Sequence, residues 1–494
     1  MLKELNELDD KIHEECGVIG IYSAKKTEVA SLIYYGLYSL QHRGQEGSGM
    51  AVSNFHDFLA YKNIGWVGDV FNKEWLEKLN GIEPHIGIGH VRYATAGSKT
   101  VENVQPLVAT TGGEKIAIAL NGNLIDTDIL KKKLESEGAL FYTDSDCEFF
   151  INKFAREFNK TNDFAKAVKN VLPRLNGSFS LVAMTKDVLV GARDPYGIRP
   201  LCIGRLKNGG YVIASESCAL DVIGATLVRD VKNGEIVYID KKGLHSIIYD
   251  DKQKKQTCIF EYVYLARPDS LIDGISPYLS RHDQGRFLFK EHPLKADLVI
   301  AAPNSGEDAA MGYAHASGIP YGTGLIKNRY IARSFIRPTQ QLREQDVHIK
   351  LNPLKVIVEG QDLILVDDSI VRGTTSMKLV RALKNAGAKK VYLLSASPKV
   401  KWPCFLGIDT TNRKELMAAK MTTEQMQEKI KCDYLGFLSL ESLIKSCDEK
   451  QSFCTGCFDK NYPMKPTKIK KPVVKNKIVK NKKNKMEKKN ANNL

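Results

Sequence analysis

The 494-residue chain has no apolar run long enough to cross a membrane as a helix, which takes about 18–20 consecutive apolar residues. Its first fifteen residues, Met1 to Glu15, are charged and polar and lack the apolar centre of a secretory signal. No repeat of fixed period is present, which excludes solenoid and propeller architectures. No Gly-x-x-x-x-Gly-Lys-Ser/Thr segment occurs, which excludes an NTPase phosphate loop. Ten cysteines without a secretory signal point to a reducing compartment, the cytoplasm. There, thiols serve as ligands or nucleophiles more often than as disulfides.

What is present divides unevenly. The stretch from Lys465 to Leu494 holds twelve Lys and one Glu, net +11 of the chain's +15, which leaves +4 for the rest. Its few apolar residues follow no period, so residues 464–494 are expected to be a disordered, solvated tail. It has no aromatics interleaved with its charge, which argues against a single-strand nucleic-acid platform.

Cys16 heads the run Cys16-Gly17-Val18-Ile19-Gly20-Ile21. Its bland reading is a small buried residue at the start of a strand. Its chemical reading depends on residues 1–15 being a propeptide. Removing them gives Cys16 a free α-amine, whose ordinary pKa of about 7.7–8 lets it take and return a proton beside the thiol. Short β-like runs follow, among them Ile116 to Leu120, Phe179 to Ala183, Val188 to Val190 and Tyr211 to Ala214. Helical patterns over Asp146 to Phe158 and Phe164 to Leu172 lie between some of them, which predicts a layered α+β domain to about residue 245.

The second half alternates differently. Leu298 to Ala302, Leu363 to Val366 and Val391 to Leu394 are continuous apolar runs. Helical patterns follow the first two, over Glu307 to Ser317 and from about Thr375 to Asn385. Strand–helix–strand alternation of this kind predicts a parallel sheet. Asp367-Asp368-Ser369-Ile370-Val371-Arg372-Gly373-Thr374-Thr375 sits where one strand ends and a helix begins. Open α/β sheets bind ligands at that edge, and backbone N–H groups there favour a phosphate. Two adjacent carboxylates call for ribose hydroxyls or a divalent cation opposite them. Pro303-Asn304-Ser305-Gly306 repeats the edge position after another strand. Between the two lies a basic segment, Lys327 to Arg333 with Arg329 within it and continuing to Arg343, which reads as a lid over a diphosphate or as a plain solvated loop.

In this order the motifs resemble those of the glutamine phosphoribosylpyrophosphate amidotransferase family, from about residue 12 to 463. The resemblance implies an α+β and α/β chain. Residues 16–250 would form the αββα sandwich of an N-terminal-nucleophile hydrolase, and residues 256–463 a phosphoribosyltransferase-type parallel-sheet domain. It further implies that Cys16 attacks the side-chain amide of glutamine. Arg92 would clamp the α-carboxylate through its planar fork, and Asp146 would receive the α-ammonium. Asn121 and Gly122 would form the oxyanion hole, although Asn-Gly alone is also a common hairpin turn. Arg43 and Gly44 resemble the loop that closes on glutamine. Asp367 and Asp368, with Ser305, would address Mg²⁺ and the ribose. Ser369, Val371, Arg372, Gly373, Thr374 and Thr375 would hold the 5-phosphate, with Lys327 and Arg329 at the diphosphate. Asn304 departs from the Asp usual in that family, which removes a charge beside the diphosphate.

Cys454-Thr455-Gly456-Cys457 alone suits zinc or a redox pair equally. The resemblance joins it to Cys258 and Cys404 as the four ligands of a [4Fe–4S] cluster, and links the cluster to the subgroup made with a propeptide. It also implies purine nucleotides as feedback inhibitors and a homotetramer. Two other readings use the same motifs: a non-catalytic binder of phosphoribosyl diphosphate, and an amidotransferase with a different acceptor.

Overall fold

The computed structural model describes residues 16–23, 25–93, 100–327, 351–408, 410 and 412–466. Residues 1–15, the tail from 467 onward and the basic segment 328–350, with Arg329, lie outside the described residues.

Two antiparallel sheets build the first half. One runs Thr226–Asp230, Cys202–Arg205, Tyr211–Ala214, Gly17–Tyr22, Ile86–Arg92, Gly47–Ser53, Phe58–Ile64. The other runs Gly243–Ile248, Glu235–Asp240, Leu189–Arg193, Gly177–Met184, Glu114–Leu124, Leu107–Thr111. Their stacking follows from alternation along each strand. In Glu114–Leu124, Ile116, Ile118 and Leu120 turn outward to Phe150 and Phe154 of the Asp146–Thr161 helix. Ala117 and Ala119 turn inward and meet Val18, Ile88, Val182 and Met184 between the sheets. In Gly17–Tyr22, Ile19 and Ile21 pack beneath Ile33 and Leu37 of the Val29–Ser39 helix. The layers are therefore helix, sheet, sheet, helix. Each fully buried aliphatic side chain contributes about 1.5–3 kcal/mol to holding them together.

The second half centres on a parallel sheet in the order Leu298–Ala301, Asp362–Asp367, Lys390–Ser395, Tyr434–Phe437. Its strands are apolar without a break because both faces are covered. Ile364 and Val366 face Leu288 and Tyr313, whereas Leu363 and Leu365 face Leu379, Val380 and Leu383. The helix after the paired acids spans Thr374–Asn385, one residue longer at its start than the pattern predicts.

The two halves share buried polar contacts. Gln256 N–H donates to the Tyr196 carbonyl at 2.7 Å, and Cys258 N–H to that of Ile198 at 3.1 Å. Arg193 binds Asp273 through two parallel hydrogen bonds of 2.8 and 2.9 Å, with 1% and 4% of the side chains exposed. Burial opposes ionisation of Asp273, but Arg193 outweighs it and holds the carboxyl well below its ordinary range. Removing one partner of such a pair strands the other charge. We therefore expect Asp273→Ala to cost about 3–5 kcal/mol of stability, read as a large fall in the denaturation midpoint.

Candidate active sites

Cys16 lies immediately before the Gly17–Tyr22 strand, in a left-handed conformation (φ +57°) and 7% exposed. Gly17 pairs with Val91, so the register sets Cys16 beside Arg92 at the end of the neighbouring antiparallel strand. The Cys16 thiol lies 3.8 Å from the Tyr93 carbonyl, to which it donates. Arg92 is 6% exposed, so it is not a surface ion-pairing residue. His90, one register step back opposite Val18, reaches the facing sheet: its Nε2–H donates to the Leu120 carbonyl at 3.2 Å. Burial drives the His90 pKa down to about 3, so the ring is neutral and serves as a fixed strut between the sheets.

The next two residues after Leu120 are Asn121 and Gly122. They are not a hairpin turn; both lie inside the Glu114–Leu124 strand. Asn121 is fully buried, yet neither Oδ1 nor Nδ2 finds a hydrogen-bond partner among the described residues. A buried amide without partners costs free energy unless a ligand supplies them. Gly122 has φ +140°, and a Cβ there would stand 2.1 Å from the Ser178 carbonyl oxygen. Only glycine fits. Asp146 opens the Asp146–Thr161 helix and accepts a hydrogen bond from Leu124 N–H at 2.8 Å. Electrostatic interaction between Cys16 and Cys147, the residue after Asp146, puts the thiol and the carboxylate segment in the same region.

Arg43 and Gly44, expected in the loop that closes on glutamine, lie at the joint between the two halves. The Arg43 guanidinium has no exposed surface; Nη2 donates to Glu261 Oε2 at 2.8 Å, and Nε pairs with Glu216. Gly44 backs directly onto the chain carrying Arg92: a Cβ there would lie 2.6 Å from the Val91 carbonyl group. Gly44 thus packs against the backbone of the Val91–Arg92 segment. A cavity of about 760 Å³ lined by Lys62, Leu107, Tyr142, Glu148 and Ile151 holds none of the candidate residues.

In the second half, Asp367 ends the Asp362–Asp367 strand, and Asp368 follows, at 1% and 2% exposure. Asp368 N–H donates to Asp367 Oδ1 at 2.9 Å, and Ser369 Oγ to Asp368 Oδ1 at 2.6 Å. Gly373 (φ +81°) caps the Thr374–Asn385 helix, and the Thr374 hydroxyl is buried without a partner among the described residues. Thr375 follows in the first turn. The Val371 carbonyl accepts from Met417 N–H at 2.8 Å, and Arg372 turns away to Glu415 at 3.0 Å. The loop with Ser305 comes alongside because Ala302 N–H donates to the Val366 carbonyl at 2.9 Å. Lys327 ends a short strand, Leu325–Lys327, buried at Leu325 and exposed at its last two residues, at the root of segment 328–350.

The four cysteines come from three separate segments. Cys258 and Cys454 are register partners in a two-stranded parallel sheet. The Cys457 carbonyl accepts from Lys401 and Trp402 N–H groups, which brings in the Cys404 segment. Burial raises the Cys457 thiol well above its ordinary value, and Cys258, Cys454 and Cys404 raise it further. Cys454 is pushed up to about 12, chiefly by burial.

Comparison with known proteins separates the possible acceptors. A family profile described as a glutamine amidotransferase domain matches residues 90–222. Amidophosphoribosyltransferase of Methanocaldococcus jannaschii is 47% identical over 91% of this chain and 97% of its own. That of Synechocystis is 45% identical, over 92% of each. The chain belongs to the amidophosphoribosyltransferase family. In three dimensions it resembles the glutamine phosphoribosylpyrophosphate amidotransferase of B. subtilis complexed with ADP and GMP. The two are 41% identical at a TM-score of 0.86, over 92% of this chain and 98% of that one.

The sandwich and the parallel sheet are thus the N-terminal-nucleophile hydrolase and phosphoribosyltransferase folds of that family. The chain is a glutamine amidotransferase and pentosyltransferase. It converts phosphoribosyl diphosphate, glutamine and water to 5-phosphoribosylamine, glutamate and diphosphate, the first step of de novo purine synthesis. Sequence motifs pointed to each candidate side chain but missed the buried residues behind them, such as His90, Glu216 and Glu261. Those partners are up to 218 positions apart, and no local pattern marks them. Because a Cβ at Gly122 must displace the Ser178 backbone, we expect Gly122→Ala to reduce glutamine turnover about a hundredfold, the scale of a displaced oxyanion donor if Gly122 has that role. Steady-state assay should show ammonia-dependent synthesis of phosphoribosylamine largely retained.

Proposed function

We propose that the reaction is divided between Cys16 and the Asp367–Thr375 cradle, and that removal of residues 1–15 activates Cys16. The observation that carries this reading is the fully buried, unpartnered amide of Asn121 on the strand facing Cys16 and Arg92. The α-amine of Cys16 takes the thiol proton, and sulfur adds to the side-chain carbonyl carbon of glutamine. Negative charge moves to the carbonyl oxygen, where Asn121 Nδ2 and the Gly122 N–H receive it. Collapse expels ammonia with the returned proton and leaves a thioester, which water cleaves to glutamate. Arg92 and Asp146 hold the two charges of the amino-acid end, so the reacting amide arrives oriented.

Ammonia then passes internally to the second site and displaces diphosphate from C1 of the ribose. Asp367 and Asp368 bind the ribose hydroxyls. The N–H groups of residues 369–375 and the Thr374 hydroxyl bind the 5-phosphate at a helix start. Arg372, released from Glu415, joins them. Asp367, Asp368 and Ser305 would hold Mg²⁺, which would neutralise charge on the departing diphosphate. Lys327, and Arg329 in the basic segment that follows it, would bind the same group. Asn304 leaves the loop one negative charge short and so favours the anion.

Cys258, Cys404, Cys454 and Cys457 hold a [4Fe–4S] cluster in this reading. Their mutual repulsion as buried thiolates calls for a cationic centre. Four thiolates suit a single zinc as well; the resemblance to the propeptide-bearing subgroup favours the cubane, which takes each thiolate on a separate iron. Purine nucleotides, two of which the B. subtilis structure contains, inhibit, and the active form is a homotetramer.

Mass spectrometry of the purified protein is expected to give a chain starting at Cys16. Cys16→Ala should abolish glutamine hydrolysis and spare ammonia-dependent synthesis. Asp367→Asn with Asp368→Asn should do the reverse. Glutamine hydrolysis at the normal rate by Cys16→Ala would sink the reading. Anaerobic preparations should contain about four iron and four sulfide per chain; stoichiometric zinc would overturn the cluster assignment.

A further inference from the structure

The strand that carries Asn121 and Gly122 is gripped from outside its own domain. Asn123 Nδ2 donates to the Phe405 carbonyl at 3.0 Å, across 282 positions of sequence. Its register partner Ser178 donates from Oγ to the next carbonyl, that of Leu406, at 2.7 Å. Arg199 Nη2 donates a second hydrogen bond to the Leu406 carbonyl at 2.9 Å. The Leu406 N–H in turn donates to Cys404 Sγ at 3.3 Å. Two consecutive carbonyls of the second half therefore hold two paired strands of the first, one residue beyond Gly122.

The grip answers a local weakness. Gly122 has no side chain to pack, and its φ of +140° departs from extended backbone, so its position is set by the backbone ladder and by whatever holds its neighbours. Oxyanion donors lower a barrier only if they are aimed before the charge forms, and positional tolerance at such sites is about 0.5 Å. Asn121 pairs with Ser180 and Gly122 with Phe179. Fixing Asn123 and Ser178 fixes both pairs.

We propose that Asn123 and Ser178 are positioning residues for glutamine hydrolysis, which anchor the oxyanion donors to the Phe405–Leu406 carbonyls of the phosphoribosyltransferase domain. This rests on Asn121 and Gly122 being those donors. The consequence is that the glutaminase site is complete only when the 404–406 loop is docked against it. Neither side chain touches the amide being cleaved, and neither belongs to the phosphoribosyl site.

The test uses the full-length mature enzyme and compares Asn123→Ala, Asn123→Asp and Ser178→Ala with Asn121→Ala. Losing one such bond is expected to lower kcat for glutamine about tenfold, the rate equivalent of one buried hydrogen bond. KM for glutamine and ammonia-dependent synthesis should stay within about twofold. Asn123→Asp, which sets an acceptor against the Phe405 carbonyl, should lose more than Asn123→Ala. Ser178→Ala removes a single oxygen and stands in if the Asn123 variants do not fold. Unchanged kcat in Asn123→Ala and Ser178→Ala, beside a large loss in Asn121→Ala, overturns the positioning role alone. An equal fall in glutamine-dependent and ammonia-dependent rates also overturns it, because it marks general damage. Unchanged kcat in Asn121→Ala overturns the oxyanion reading beneath it.

Discussion

Arg43, Glu216, Glu261 and Arg199 meet between the sandwich and the parallel-sheet domain with no side-chain surface exposed. Four charges removed from water are tolerable only as a closed set, because an unpaired member would carry the full desolvation cost. Burial pushes the Glu216 carboxyl up, but Arg43 and His42 outweigh it and hold the group well below its ordinary range. Glu216 also accepts from the Arg267 amide at 3.0 Å and from Ser270 Oγ at 2.6 Å, both in the second half. Glu261 binds Arg43 on one side and, at 3.5 Å, Arg199 on the other. The domains are therefore locked in register by direction-specific bonds, which an apolar interface of the same size would not supply.

Both sites depend on that register. Arg43 precedes Gly44, which backs onto the Val91–Arg92 segment that would clamp glutamine. Arg199 reaches the Leu406 carbonyl, beside the loop from Cys404 that holds Asn123 and Ser178. Arg281, buried among the carbonyls of Glu261, Tyr262 and Ala266, is at once within electrostatic reach of Asp308 and Asp368 in the second half and of Glu216 in the joint. The internal passage of ammonia proposed above would gain from such a joint, since free ammonia would be protonated and lost in bulk water.

Much of the fold was legible in the sequence because it is written in local periods. Ile116, Ile118 and Leu120 alternate with Ala117 and Ala119 at the two-residue period of a strand buried on both faces. The run Leu363 to Val366 is apolar throughout because helices cover both sides. The helix over Glu307–Ser317 lies where its pattern puts it. Candidate site residues were legible where chemistry needs unusual types in short runs: paired acids before a hydroxyl-rich turn, or a Cys ahead of a Gly-rich strand. The Asn121-Gly122 pair misleads locally, since the dipeptide favours turns but here runs inside a strand held by register with Ser180 and Phe179.

The sequence by itself determined the two layered domains, their order, and the identity of the side chains available to each site, since period and motif act over a few residues. Only the tertiary structure decided what those side chains do. It turned the Arg43 side chain inward to two glutamates, left the Asn121 amide buried and open, and tied Asn123 to a carbonyl 282 positions away. The reason is that desolvation and pairing depend on what surrounds a group in space, and those surroundings come from segments whose separation along the chain carries no local trace.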